Sequence, residues 1–251
     1  MNLFQTLLLS IVEGITEFLP ISSTGHLILT SSLLQIQQTE FVKSFEIIIQ
    51  LGAILAVVVI YFSKLRSNFV LLKNTLIAFL PSAIFGLLFY KYIKMYLIGS
   101  TAVVIWSLLI GGIIMILFEK FYKQNNKKLT NRNYFVIGIF QVFSMIPGVS
   151  RAFATIFGGM IVGMKREEAT EFSFFLAIPT MIAATSLDLI KTDVSMWTSS
   201  NLVTLLIGFL VSFATAYVAI RWLIKFVQTH NFNLFGWYRI ILALLFFVFG
   251  L

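Results

Sequence analysis

Apolar residues come in long blocks separated by short polar or basic loops, and the blocks are of two kinds. Residues 44–62, 71–90, 97–118, 171–190, 202–222 and 236–251 are almost unbroken and close to the ~20 residues that carry a helix across a bilayer core. The last is short and needs tilt or local thinning. Residues 2–34 and 134–163 are as apolar but interrupted, the first by Glu13, Gly14, Glu17, Pro20 and Gly25, the second by Pro147, Gly148, Ser150 and Arg151. Each half of these blocks is too short to cross alone. Irregular backbone at membrane depth survives only where it is buried in protein or lines a cavity. The pattern predicts an all-α polytopic membrane protein with six transmembrane helices and two re-entrant helix-loop-helix hairpins; paired, kinked spanning helices are the plainer alternative for each hairpin.

The order of these elements predicts a repeat within one integral membrane domain. A hairpin and three spans occupy residues 1–118, a basic linker covers 119–133, and a second hairpin with three spans fills 134–251. Three crossings reverse direction, so the halves are expected to be inverted-topology repeats. Leu19-Pro20 with Ser23 echoes Ile146-Pro147 with Ser150, and Phe45 opens a span much as Phe172 does. In such folds the site lies near the midplane at the ends of broken helices. That arrangement brings Arg151 from one half towards Glu13, Glu17, Ser23 and His26 from the other.

Composition excludes a soluble globule: 59% hydrophobic and 11% charged residues, with a mean hydropathy of +0.97, leave too little polar surface. The net charge of +8 does not point to nucleic acid, because the basic residues sit in short loops between apolar blocks. On the expected topology most of them, among them Lys64, Arg66, Lys120, Lys127, Lys128, Arg132, Lys165, Arg166, Arg221 and Arg239, share one side. Lys43, Lys91, Lys94 and Lys191 take the other. The basic side is expected to be the cytoplasm, which puts both termini and the first hairpin on the exterior of the plasma membrane and makes the linker cytoplasmic. Absence of cysteine removes disulfides and thiolate metal sites. The amino terminus has neither a basic leader nor a small-residue cleavage site, so it is expected to be mature structure.

Ionisable groups at membrane depth are costly and tend to act on something, which directs attention to Glu13 and Glu17. Four residues apart, they share a helix face and can share a divalent cation or a proton. A pyrophosphate would be repelled by two bare carboxylates unless a cation or a proton intervened. Pairing with a buried Arg or Lys is the structural alternative. Ser23 and His26 share a face three apart, as an activated hydroxyl with a base or acid. Ser22, Ser23 and Thr24 also suit the cap of the second half-helix, whose free amides would face phosphate. Arg151 is the natural bidentate phosphate clamp, or else a structural partner of a glutamate. Glu46 and Gln50, four apart, are supporting candidates around the cavity. Asp188 with Lys191 reads as a helix-end pair, and Glu167, Glu168 and Glu171 as a helix N-terminal turn.

The segment Glu13-Gly14-Ile15-Thr16-Glu17-Phe18-Leu19-Pro20-Ile21-Ser22-Ser23-Thr24-Gly25-His26-Leu27 resembles the first signature of the bacterial undecaprenyl-diphosphatases, the bacitracin-resistance family. Pro147-Gly148-Val149-Ser150-Arg151 resembles the start of the second, and Phe45-Glu46, Gln50-Leu51-Gly52 and Glu171-Phe172-Ser173-Phe174 also look like family segments. The family usually continues Ser-Gly-Ala-Thr after the arginine; here Ala152-Phe153 precede Ala154-Thr155, removing a hydroxyl and placing a bulky ring where backbone is expected to approach phosphate. The resemblance implies hydrolysis of a polyprenyl diphosphate lipid at the outer leaflet, a Mg²⁺ or Ca²⁺ requirement met by Glu13 and Glu17, and catalytic roles for Glu13, Glu17, Ser23, His26 and Arg151. Ser22, Thr24, Ser150 and Arg151 are expected to bind the substrate. The nucleophile stays open between Ser23, His26 and water, and a homodimer is compatible with the sequence. A lipid-phosphate flippase or ion-coupled transporter shares the expected architecture, and the Ala152-Phe153 departure also admits an inactive binding relative.

Overall fold

The computed structural model describes residues 1–92, 100–123, 128–191 and 198–248, the side chains of Tyr90, Lys91 and Lys191 excepted. Lys94, Lys127 and parts of the 97–118 and 236–251 runs lie outside the described residues. Among the described residues all regular structure is helical: α1 (Leu3–Thr16), α2 (Ser23–Leu33), α3 (Glu40–Ile60), α4 (Phe62–Ser67), α5 (Phe69–Tyr92), α6 (Thr101–Phe121), α7 (Asn131–Val142), α8 (Arg151–Val162), α9 (Arg166–Lys191), α10 (Ser199–Thr229) and α11 (Asn233–Val248). Five of them, α3, α5, α6, α9 and α10, contain stretches long and apolar enough to cross a membrane. With α11 they fall on the six uninterrupted runs, α11 being the short one at 16 residues.

Local chemistry sets the boundaries. Asn2 and Gln5 form a reciprocal capping box at the start of α1. The helix runs through Glu13 and Gly14, so the interruption lies at residues 17–22, around Pro20, and not at the first acid; Gly25 likewise lies inside α2. The second break runs through a 3₁₀ turn, Phe143–Met145, and Pro147-Gly148. Gly163, with φ of 110°, closes α8 in the left-handed region, and Glu167 and Glu168 occupy the first turn of α9. At 1.5 Å per residue α1, α2, α7 and α8 reach only about 17–21 Å each, short of the ~30 Å core. Within the basic 119–133 segment, α6 continues to Phe121 and α7 starts at Asn131.

Packing places α1 and α3 against α10, α7 against α5 and α8, α9 against α3 and α8, and α6 against α11. Where helices meet, small residues such as Ala53, Ala56 and Ala216 are buried among Phe18, Phe174 and Met160. The outward faces remain apolar: Phe69 is 83% exposed, Leu87 and Leu88 69%. An exterior of this kind has no counterpart in a soluble monomer and suits lipid, and the chain is a multi-pass membrane protein. Arg166 fastens one end of the bundle, its Nη2 and Nε bonding Glu119 at 2.7 and 3.3 Å while Glu119 also accepts from the Phe232 amide.

Arg239 departs from expectation. The charge map puts it on the basic side, yet it is fully buried in the bundle. Desolvating a guanidinium is expensive unless its donors are met, and here five backbone carbonyls meet them.

Candidate active site

The two broken blocks end in matching turns. Ser22, φ 74°, is the N-cap of α2 and its Oγ accepts from the Gly25 amide at 3.2 Å; Ser150, φ 77°, is the N-cap of α8 and accepts from the Phe153 amide at 3.2 Å. The structural counterpart of Ser150 is therefore Ser22, not Ser23, because the second loop holds one more residue after its proline. Gly148 takes the turn there at φ 90°. It follows that Ser23 and Arg151 occupy the same place, the first helical residue, in α2 and α8.

Those two residues meet through Glu17. Ser23 donates its hydroxyl to Glu17 Oε2 at 2.5 Å, and Arg151 Nη2 donates to Glu17 Oε1 at 2.8 Å. Both ionic side chains are buried, so the pair needs further hydrogen bonds to offset desolvation. Arg151 obtains them from the Ser173 carbonyl at 2.9 Å and, at the longer distance of 3.4 Å, the Glu17 carbonyl, while Thr155 donates to Ser173 Oγ at 2.7 Å. Its guanidinium also lies 5.6 Å from the Phe18 ring centre. Arg151 Nε keeps a buried donor without a protein partner.

Glu13 is fully buried one turn before Glu17, and neither of its oxygens has a hydrogen-bond partner. Such a carboxylate demands a proton or a cation. Two carboxylates one turn apart, one of them unmet, fit a hard, oxygen-liganded divalent ion. Among the described residues no third His, Cys, Asp or Glu completes a protein cage. The residues thus suit the Mg²⁺ mode, in which a few carboxylates are supplemented by water and substrate phosphate.

His26 is buried beside this set but does not bond Ser23. Its Nδ1 lies 2.7 Å from the Ser22 carbonyl and its Nε2 2.7 Å from the Tyr238 hydroxyl. The next residue, Arg239, donates to the Pro20 carbonyl of the first loop at 3.2 Å, to the Gly148 and Val149 carbonyls of the second at 2.9 and 3.0 Å, and to Ser107 and Leu108 of α6. Its face is covered by Phe153, 5.0 Å from ring centre to guanidinium carbon. The Ala152-Phe153 departure therefore does not crowd the loop: Phe153 lies in the first turn of α8 and packs on Phe157 and Arg239.

Other expected residues stand further off. Thr24 is exposed, unlike its neighbours. Glu46 is half-buried on α3 and accepts from Ser31 at 3.1 Å, tying α3 to α2, and no described hydrogen bond joins Gln50 to the set. Asp188 accepts from Ser44 at 3.1 Å. Tyr238, Arg239, Ser173 and Thr155 are site residues that the sequence reading did not single out. Arg239 carried a signal, since it is a charge near the start of an apolar run, the criterion that singled out Glu13 and Glu17.

A lipid-facing helical bundle thus encloses a paired acid and arginine, a hydroxyl and an imidazole. Residues 6–245 match the family described as bacitracin resistance protein BacA, and the chain belongs to that family. Relatives named undecaprenyl-diphosphatase include one from Aquifex aeolicus (strain VF5), 51% identical with 100% of both chains covered, and one from Sulfurihydrogenibium sp. (strain YO3AOP1), 48% identical with 99% of both covered. Another, from Persephonella marina, is 47% identical with 100% of both covered.

Proposed function

We propose that this chain hydrolyses undecaprenyl diphosphate to undecaprenyl phosphate and inorganic phosphate, returning the lipid carrier to cell-wall synthesis. Family membership and the names of its full-length relatives support the reaction. The observation that carries the site is the Ser23–Glu17–Arg151 chain, which joins an oxygen nucleophile to a base and the base to a phosphate-binding cation. Ser23 Oγ attacks the terminal phosphorus, its proton passes to Glu17, and the bridging P–O bond breaks to release undecaprenyl phosphate. Water then cleaves the phosphoserine and inorganic phosphate leaves. Arg151 turns from Glu17 to the incoming phosphate, for which its unmet Nε is a ready donor, and positioning with charge neutralisation supplies most of the catalysis. Glu13, whose oxygens are unmet, would hold a divalent cation, Mg²⁺ or Ca²⁺, with Glu17 one turn away adding negative charge beside it; when bound, the cation would offset the charge of the diphosphate.

We read α1–α2 and α7–α8 as re-entrant hairpins in inverted repeats, one opening to each side, with the first hairpin and both termini outside. Reciprocal packing supports this: α1 lies on α10, the middle span of the second half, and α7 on α5, the middle span of the first. Gly14 and Gly138 sit where these pairs touch, a Cβ at either meeting backbone of the opposite helix. The matching serine caps support it as well.

Phosphate release from undecaprenyl diphosphate in detergent micelles, with and without chelator, tests the proposal. Micelles hold no transmembrane gradient, so release there is hydrolysis and not carriage. Absence of release with metal present overturns the reading; release untouched by exhaustive chelation overturns the cation.

A further inference from the structure

Tyr238 reaches the site from α11, far from it in sequence, and bonds the imidazole of His26. The Ser22 carbonyl can only accept a hydrogen bond, so His26 Nδ1, 2.7 Å away, must carry a proton. In the neutral ring Nε2 is then the acceptor, and its partner at 2.7 Å, the Tyr238 hydroxyl, is the donor. The two rings lie nearly parallel, 5° apart. Tyr238 has little freedom to drift along its helix, because the adjacent Arg239 is tied to carbonyls of both loops and of α6. The imidazole is buried, whereas Tyr238 is 41% exposed, so the phenol can yield its place at Nε2 without rearranging the core.

We propose that Tyr238 is a positioning residue: with the Nδ1–H tautomer set by the Ser22 carbonyl, its hydroxyl donates to Nε2 and holds the ring in place, then gives way to the water whose proton Nε2 takes in the second half of the reaction. There the water oxygen bonds to the phosphorus of phosphoserine, one water proton moves to Nε2 and the other stays on the phosphate, the P–Oγ bond breaks, Oγ recovers its proton from Glu17, and Nε2 releases its proton to solvent as inorganic phosphate leaves. This inference rests on the proposed site, and in particular on a role for His26.

The test is a double-mutant cycle of Tyr238→Phe and His26→Ala, scored by phosphate release, together with ¹⁵N spectra of histidine-labelled protein. The chain has only two histidines, so His230 serves as the internal reference. Tyr238→Phe removes one hydroxyl and is expected to lower kcat about tenfold with KM unchanged, the effect of losing one hydrogen bond to a working group. In a His26→Ala background, itself slow but still measurable, it should add nothing. Wild-type spectra should show Nδ1 protonated and Nε2 bare in His26, and Tyr238→Phe should move that Nε2 signal while leaving His230 in place. A wild-type kcat with an unmoved His26 signal in Tyr238→Phe overturns the inference alone, as does additivity of the two changes. Wild-type turnover in His26→Ala overturns the role of His26 and this inference with it.

Discussion

The two loops share a scaffold and differ in the side chains they carry. Each passes a proline, forces a serine to a φ near 75°, and uses that serine to cap a short helix. Beyond that they differ. The helix entering the first loop carries Glu13 and delivers to Glu17, both buried acids; the helix entering the second carries Gln141, whose amide nitrogen donates to Ser82 and Thr180. At the first position of the outgoing helix stands a hydroxyl in one and a guanidinium in the other. Similar backbone thus presents unlike side chains to one point, and the two become a site only through contact across a sequence separation of 134.

Replacing Arg151 by Ala strikes hardest at this difference. Phosphate release should fall by about 10³-fold or more, and Glu17→Gln by about 10²–10⁴-fold, the range for a general base. Arg151→Ala should also cost stability, about 3–5 kcal/mol, by leaving Glu17 as a buried unpaired charge. Adding Glu17→Gln should return part of it, as measured by thermal unfolding in detergent. Equal melting points for the single and double variants would show that the pair does not bridge the loops.

Arg239→Met comes next. It leaves carbonyls of both loops unmet at about 1–3 kcal/mol each, and the melting point should fall sharply with activity lost in parallel. A stable, active Arg239→Met would mean that the loops hold their places without it.

The caps test the sameness of the scaffold. Ser22→Ala and Ser150→Ala should each cost about 1 kcal/mol, and the glycine variants less, since glycine accepts the positive φ. A cost at one serine and none at the other would break the likeness. The smallest effect is expected at Lys64 and Glu171, an ion pair with both members partly exposed; Lys64→Met should change stability by about 0–1 kcal/mol.

Much of this was legible in the sequence, and for physical reasons. Hydrophobic runs reported the long helices because lipid tolerates little else, and the same rule made the two interrupted blocks conspicuous, although Glu13, Gly14, Gly25 and Arg151, read as interruptions, lie inside helices. The meeting of Arg151 with Glu17 was expected from two charged, broken blocks at membrane depth, and the two side chains do pair. What escaped notice depends on distant geometry. Arg239 reads as a loop-side charge until the five carbonyls that solvate it come together, and Tyr238 reads as one of many aromatic residues in an apolar run. Ser23 aligns with Ser150 by counting from proline, whereas the backbone pairs Ser22 with Ser150, because a glycine in the left-handed region absorbs the extra residue.

Arg239 grips both loops by their main-chain carbonyls. A clasp of that kind reads the path of the chain: Pro20 and Val149 present it with carbonyl oxygens that do not depend on their side chains, whereas position 148 must stay glycine, since a Cβ there would meet Ser107 and Val104. Side chains at Pro20 and Val149 can therefore change while the main-chain registration of the two loops against α6 and α11 stays fixed.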